Sequence, residues 1–172
     1  IACVPLLLAI PGLGFAAAYF EAVSGLTATG ATVLTGLDRL PPSINLWRAE
    51  LHWIGGLGVI VLAVAVLPLL GVGGRQLMRA EVPSPIKEAG LTPRVTETAK
   101  GFWKIYLALT ALCALAYGLF GMSWLDALTH AFSTVALGGF CSHDASLGFF
   151  DSPALEATTI FFAALSGLSY VT

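Results

Sequence analysis

Between Glu50 and Arg75 the chain carries no charged residue, and residues 53–72 are apolar or glycine throughout. As a helix rising about 1.5 Å per residue, that run covers a hydrocarbon core of roughly 30 Å. The stretch from Lys104 to Asp126 is equally free of charge, and a third apolar run begins after Glu156 and continues to Thr172. Three such runs in 172 residues leave no room for an ordinary water-soluble core. Composition agrees: 57% of residues are hydrophobic and 10% charged, against roughly 45–50% and 25% in soluble domains. The reading is an all-α integral membrane chain whose last helix is cut where the sequence stops.

The distribution of charge orients these helices. Six of the eight Lys and Arg residues (Arg75, Arg79, Lys87, Arg94, Lys100 and Lys104) fall in one polar linker. Positive charge collects on the cytoplasmic side, so this linker is expected there and the segments one span away on either side face outward. The outer segment before the third run holds Asp126, Asp144 and Asp151 with no Lys or Arg, which favours cations near its mouth. Residues 1–20 are uncharged but broken by Pro5, Pro11, Gly12 and Gly14, with no basic region ahead of them. They read as the tail of a span followed by a break, not as a signal peptide. A net charge of -2 gives no sign of nucleic-acid binding.

Laid on itself at an offset of 109, the chain places Phe20-Glu21-Ala22-Val23-Ser24-Gly25 over Thr129-His130-Ala131-Phe132-Ser133-Thr134, and Gly30 over Gly139. Each half then reads helix, short helix, glycine turn, helix. Ser123-Trp124-Leu125-Asp126 has the form of a capping box and opens a short helix reaching to about Thr134. Its counterpart is expected near residues 15–26. Helices of this length, roughly 15 Å, cross half a membrane and end in turns that glycine keeps from being helical. Irregular backbone at membrane depth persists only when buried in protein or lining a watery cavity. The predicted division is residues 1–72 as a first repeat, 73–101 as a cytoplasmic linker and 102–172 as a second repeat.

Neither turn, Thr27-Ala28-Thr29-Gly30-Ala31-Thr32 or Ala136-Leu137-Gly138-Gly139-Phe140-Cys141, contains a charged side chain. What they offer an ion is main-chain carbonyl oxygen, with the hydroxyls of Thr27, Thr29 and Thr32 in the first. Rings of carbonyl dipoles replace the hydration shell of a monovalent cation, whereas fixed carboxylates suit divalent ions. The C-terminal dipole ends of the short helices add partial negative charge.

These residues resemble the Trk/Ktr superfamily of potassium transporters. Residues 20–33 are similar to the family's first pore loop, whose pattern usually has Thr where Ala28 stands, and residues 130–140 to its second. Leu62-Ala63-Val64-Ala65-Val66-Leu67-Pro68, Gly71-Val72-Gly73-Gly74, Leu91-Thr92-Pro93-Arg94 and Glu97-Thr98-Ala99-Lys100 resemble the helix end and the linker between repeats. The resemblance covers essentially the whole chain. It implies four helix–pore-loop–helix repeats around one pore, two of them here. It implies a K+ filter to which Thr27, Ala28, Thr29, Gly30 and Ala31 and Ala136, Leu137, Gly138, Gly139 and Phe140 contribute backbone oxygens. Ala28 is harmless if the carbonyl does the work. Also implied are a bacterial cytoplasmic membrane location, a homodimer, and a cytoplasmic nucleotide-binding regulatory ring of the TrkA type as partner. K+ is cargo, and no bound cofactor is called for.

Other residues have plainer readings. Gly55-Gly56-Leu57-Gly58 suits close helix packing. Glu21 is read as a hydrogen-bonded anchor of the first short helix, with a cation-attracting role as the alternative. His143-Asp144 lacks a third ligand and reads as a structured outer loop. Arg48, Glu50 and His52 are expected to open a span at the outer interface, and Trp47, Trp53, Trp103 and Trp124 to anchor membrane boundaries. Cys3, Cys113 and Cys141 are expected as packed small side chains. The competing class is a non-conducting scaffold or sensor with glycine-packed helices. An enzyme is disfavoured, because no constellation of nucleophile, base or metal ligands is present.

Overall fold

The computed structural model describes residues 1–66 and 91–171, and all regular structure among them is helical. In chain order the helices are α1 (Val4–Ala9), α2 (Phe15–Leu26), α3 (Pro42–Val66), α4 (Leu91–Leu119), α5 (Trp124–Val135) and α6 (Pro153–Val171). Short 3-10 turns at Leu37–Arg39 and Ser146–Phe150 precede α3 and α6. Helix α4 takes in residues 91–101, which the charge pattern assigns to the polar linker. Residues 67–90, with Pro68, the Gly71–Gly74 cluster and most of the linker, lie outside the described residues.

Helices α2 and α5 are the expected half-membrane elements, each 12 residues long, or about 18 Å. Ser123 opens α5 by accepting a hydrogen bond from the Asp126 N–H, and its hydroxyl donates back to the Asp126 carboxylate at 2.7 Å. Helices α3 and α6 both begin on proline, Pro42 and Pro153, where the missing N–H costs nothing. Gly101–Leu119, within α4, is long and apolar enough to cross a membrane. Large apolar side chains stand exposed along several helices, among them Phe15, Leu115, Leu119, Ile160 and Phe161. A lipid-facing or further protein-covered surface has this character.

Each repeat has its own apolar cluster. The first gathers Leu6, Ala18, Ala22, Ile44 and Leu51, and the second Tyr106, Cys113, Tyr117, Ala131, Val135, Leu155 and Phe162. Cys3 and Cys113 are packed within them, as expected. Helix α3 joins the two, since Leu57 belongs to the second cluster and α3 packs on both α2 and α5. Glycine makes the double contact possible. A methyl group on Gly55 would overlap the Leu26 carbonyl at the end of α2, and one on Gly56 would press on Ala136 and the Tyr106 hydroxyl at 3.0 Å. Trp47 and Trp53 make contacts within the chain. Trp47 Nε1–H donates to the Ala2 carbonyl, and Trp53 donates to Thr110 while packing on Tyr106 and Phe132, so both lock helices together.

Two polar networks hold the loops that follow the short helices. In the first, Glu21 and Arg48 form a fully buried ion pair, Arg48 Nη2 lying 2.6 Å from Glu21 Oε1. Thr32 donates to the same carboxylate at 2.7 Å and the Val33 N–H donates to its other oxygen, while Arg48 reaches across to the Cys141 carbonyl. Glu21 is therefore the anchor. Arg48 and His52, near the start of the span, are buried within the protein, 1% and 0% exposed. In the second network the two outer loops hold each other. Asp144 accepts from the Gly36 and Leu37 N–H groups, while Asp38 pairs with His143 Nδ1 and accepts from the Asp144 N–H. His143 also stacks on Phe149 at 3.6 Å.

The hydrogen bond from His143, and then that from the Asp144 amide, hold the Asp38 carboxyl below its ordinary value. A carboxyl lowered in the native state adds stability above its unfolded pKa of about 3.9 and loses it as pH falls through the native value. In the full-length protein Asp38→Asn is expected to lower the thermal midpoint at pH 7. The gap from wild type closes as pH is taken below about 4, and a gap constant with pH would refute the pairing.

Two further outcomes follow from the packing. Gly55→Ala is expected to destabilise strongly or prevent folding, while Gly58→Ala, where a methyl meets nothing within 4 Å, changes stability by no more than about 0.5 kcal/mol. Arg48→Met strands a buried carboxylate and is expected to cost about 3–5 kcal/mol, much of it regained by adding Glu21→Gln. Thermal unfolding in detergent reads both.

Candidate functional site: paired loops at the ends of the short helices

Helices α2 and α5 end in the same hydrogen-bonded turn. At the end of α2, the Thr29 N–H donates to the Ser24 carbonyl at 3.0 Å and the Ala28 N–H to that of Gly25 at 2.9 Å. At the end of α5, Gly138 donates to Ser133 at 2.9 Å and Leu137 to Thr134 at 3.1 Å. Each is a Schellman motif, which needs a left-handed residue just past the helix. Ala28 and Leu137 fill that position with φ of 50° and 58°, although neither is glycine. Two residues on, Gly30 and Gly139 are again left-handed, at 76° and 93°, while Thr29 and Gly138 between them are not. Both loops thus share an alternation of backbone handedness at the offset of 109 read from the sequence. Holding Ala28 and Leu137 there costs on the order of 1–2 kcal/mol each, and strain of this kind concentrates where a backbone has a task.

The motif uses up the carbonyls of the last helical turn and leaves the next ones uncommitted. Among the described residues, the carbonyls of residues 27–31 and 136–138 accept no hydrogen bond, and that of Gly139 meets only the Cys141 thiol at 3.5 Å. Thr27, Thr29, Ala31, Leu137 and Gly139 are exposed and Ala28 and Gly30 half-buried, so most of these oxygens are not enclosed by the chain's own packing. A row of unpaired ones suits water or a cation. The loops carry no charged side chain.

The structure brings the two loops together at Gly30 and Gly138, where a methyl on Gly30 would overlap the Gly138 carbonyl. Gly138 has no room either, for its own Cβ would fall on the His52 ring. Gly139 is different: a Cβ there meets nothing within 4 Å, so only its φ demands glycine. Thr27 and Thr29 share a hydrogen bond of 2.7 Å between their hydroxyls, and Thr27 also bonds the Val23 carbonyl. The Thr32 hydroxyl, considered above as an ion ligand, is held by Glu21 and Arg48. Cys141 is half-buried, with Ser146 Oγ 3.0 Å from its sulfur.

Reading the sequence alone misses the support behind the loops. Asn45, Arg48 and His52, with Gly55 and Gly56, form one stripe of α3 facing them. Asn45 Nδ2 bridges the Leu37 and Ser142 carbonyls at 3.0 and 3.1 Å, one from each outer loop. Arg48 lies 4.3 Å from the centre of the Phe140 ring, and His52 stacks on that ring at 4.0 Å. The signal was present as polar and small residues at three- and four-residue spacing. In the second repeat the counterpart of Glu21 is His130, which is neighbour to Ser142 at 3.2 Å and, among the described residues, has no hydrogen-bond partner on α6.

Known proteins resemble this chain in sequence and in fold. The family model described as TrkH, a cation transport protein, matches residues 1–172. The chain is 58% identical over 153 residues to the Trk system potassium uptake protein TrkH of Halomonas elongata, covering 89% of this chain and 32% of that protein. It is 54% identical over 160 residues to TrkH of Escherichia coli, covering 93% and 33%. The crystal structure of the potassium transporter TrkH from Vibrio parahaemolyticus superposes with a TM-score of 0.79 at 48% identity, over 94% of this chain and 31% of that one. The chain thus spans about a third of the length of the relatives it matches. On sequence and fold together, the chain belongs to the TrkH family of cation transport proteins.

Proposed function

We propose that this chain supplies two of the pore loops of a potassium uptake protein, and that Thr27, Ala28, Thr29, Gly30 and Ala31 together with Ala136, Leu137, Gly138, Gly139 and Phe140 offer K+ their main-chain oxygens. The observation that carries this reading is the repeated backbone: two uncharged loops with left-handed residues at matching positions and carbonyls left unpaired. Carbonyl dipoles compensate a monovalent ion for its lost water without binding it too tightly to leave. Gly138 contributes least freely, since its oxygen also packs on Gly30. The names of the relatives, potassium uptake proteins of the Trk system, point the same way. We place the protein in the bacterial cytoplasmic membrane as a multi-pass homodimer, with a cytoplasmic nucleotide-binding regulatory ring of the TrkA type as its partner. It is a transporter and not an enzyme.

Gly139 offers the cleanest test, because a side chain there disturbs φ without a steric clash. In the full-length protein, Gly139→Ser is expected to lower the K+ over Na+ preference in ion-flux assays by about tenfold, the equivalent of the ~1–2 kcal/mol of imposed backbone strain. Unchanged preference would sink the carbonyl reading. The full-length protein is also expected to rescue a bacterium lacking potassium uptake, which a non-conducting scaffold would fail to do.

A further inference from the structure

His52 stands on α3, in the first repeat, yet every polar contact of its ring is with the second. Its Nδ1 lies 3.1 Å from Ser133 Oγ and takes the Phe140 N–H at 3.4 Å. An N–H can only donate, so Nδ1 accepts and the ring proton sits on Nε2. The ring stacks on Phe140 with centroids 4.0 Å apart and planes 18° from parallel. The Gly138 backbone lies against the same ring so closely that no side chain fits between them. One imidazole therefore touches residues 138 and 140, on either side of Gly139. It fixes the peptides that set where the Gly138 and Gly139 oxygens point.

Arg48 also lies over the Phe140 ring and reaches the Cys141 carbonyl, but among the described residues His52 alone bonds the Phe140 N–H. The Gly139 N–H and carbonyl make no backbone hydrogen bond there, and Gly139 itself is open. Ser133, the residue that steadies the ring, also supplies the carbonyl that accepts the Gly138 N–H in the Schellman turn that launches the loop. The buried Nε2 has no partner among the described residues, so the polar contacts that orient the ring are those to Ser133 on α5 and to the Phe140 N–H.

We propose that His52 is a positioning residue for ion preference, a neutral buttress from the first repeat that sets the carbonyl directions of the second loop. The inference rests on the filter reading above. A general packing residue would govern how much protein folds; a positioning residue governs the ratio of ions carried. The two roles separate experimentally.

The test uses the full-length protein in liposomes, with K+ and Na+ fluxes measured on the same preparations. His52→Leu keeps bulk but offers no acceptor, and is expected to lower the K+ over Na+ ratio roughly three- to tenfold, the scale of one hydrogen bond. His52→Gln, whose amide oxygen accepts in its place, is expected to stay within about twofold of wild type. Ser133→Ala removes the hydroxyl that steadies the ring and is expected to shift the ratio in the same direction as His52→Leu, by less. If His52→Leu carries both ions less but at the wild-type ratio, His52 is a packing residue and the proposal is overturned. Should His52→Leu fail to reach the membrane, Ser133→Ala decides alone, and an unchanged ratio overturns the proposal. A wild-type protein without K+ preference would remove the filter reading, and this inference with it, before any variant is made.

Discussion

A guanidinium and a carboxylate buried together behind the first loop are the contact on which the loop arrangement turns. Arg48 and Glu21 are both almost wholly removed from water, and neither would be tolerated there without the other. The pair is not an isolated bridge. Its carboxylate takes Thr32 and the Val33 N–H from the exit of the first loop, and its guanidinium reaches the Cys141 carbonyl and the Phe140 ring of the second. The fixed charges are spent on holding backbone, at a distance from the loops' own oxygens. That division lets the loops be uncharged and still rigid.

The loops themselves are an example of strain held in place by its surroundings. Two non-glycine residues, Ala28 and Leu137, sit in the left-handed region because the Schellman turn requires it there. The turn in turn consumes the carbonyls of the helix end and frees those that follow. Glycine is demanded by three different causes within a few residues. Gly30 needs it for contact with the neighbouring loop, Gly138 for the His52 ring, and Gly139 for its φ alone. The stripe of α3 explains why the strained backbone does not relax, since Gly55 and Gly56 bring that helix against the ends of both short helices.

Much of this was legible in the chain. The spans came from uncharged length, the short helices from the Ser123 cap and the glycine turns, and the repeat from the offset that aligns Gly30 with Gly139. The structure returns that offset in the hydrogen bonds and φ angles of both turns. The unread part lay in α3. Arg48 and His52 sit near the start of a span, where charge ordinarily marks the water interface, and so their burial had no local sign. Only the periodic placement of Asn45, Arg48, His52, Gly55 and Gly56 on one face announces that something polar packs there. The hydrogen bonds of Trp47 and Trp53 within the chain had no local sign either, since a tryptophan near a boundary looks alike whether its N–H meets headgroups or protein.

The two repeats are alike in backbone and unlike in what braces them. With a register two residues longer, Pro42 falls against Pro153 and Gly55-Gly56 against Ser166-Gly167, so the small pair recurs on α6. Ser166 is buried and Gly167 lies beside Leu137, as Gly55 lies beside Leu26. In that register Arg48 and His52 correspond to Thr159 and Ala163. Thr159 bonds the Tyr117 hydroxyl, which also meets Thr134, so the end of α5 is tied to α4 and α6 by neutral groups. Close approach of the second helix to its own short helix is thus common to both repeats. The charged and aromatic brace belongs to the joint between the first loop and the second. On the proposed reading, the two loops are alike in the backbone that would face the ion and unlike in the side chains that brace them from behind.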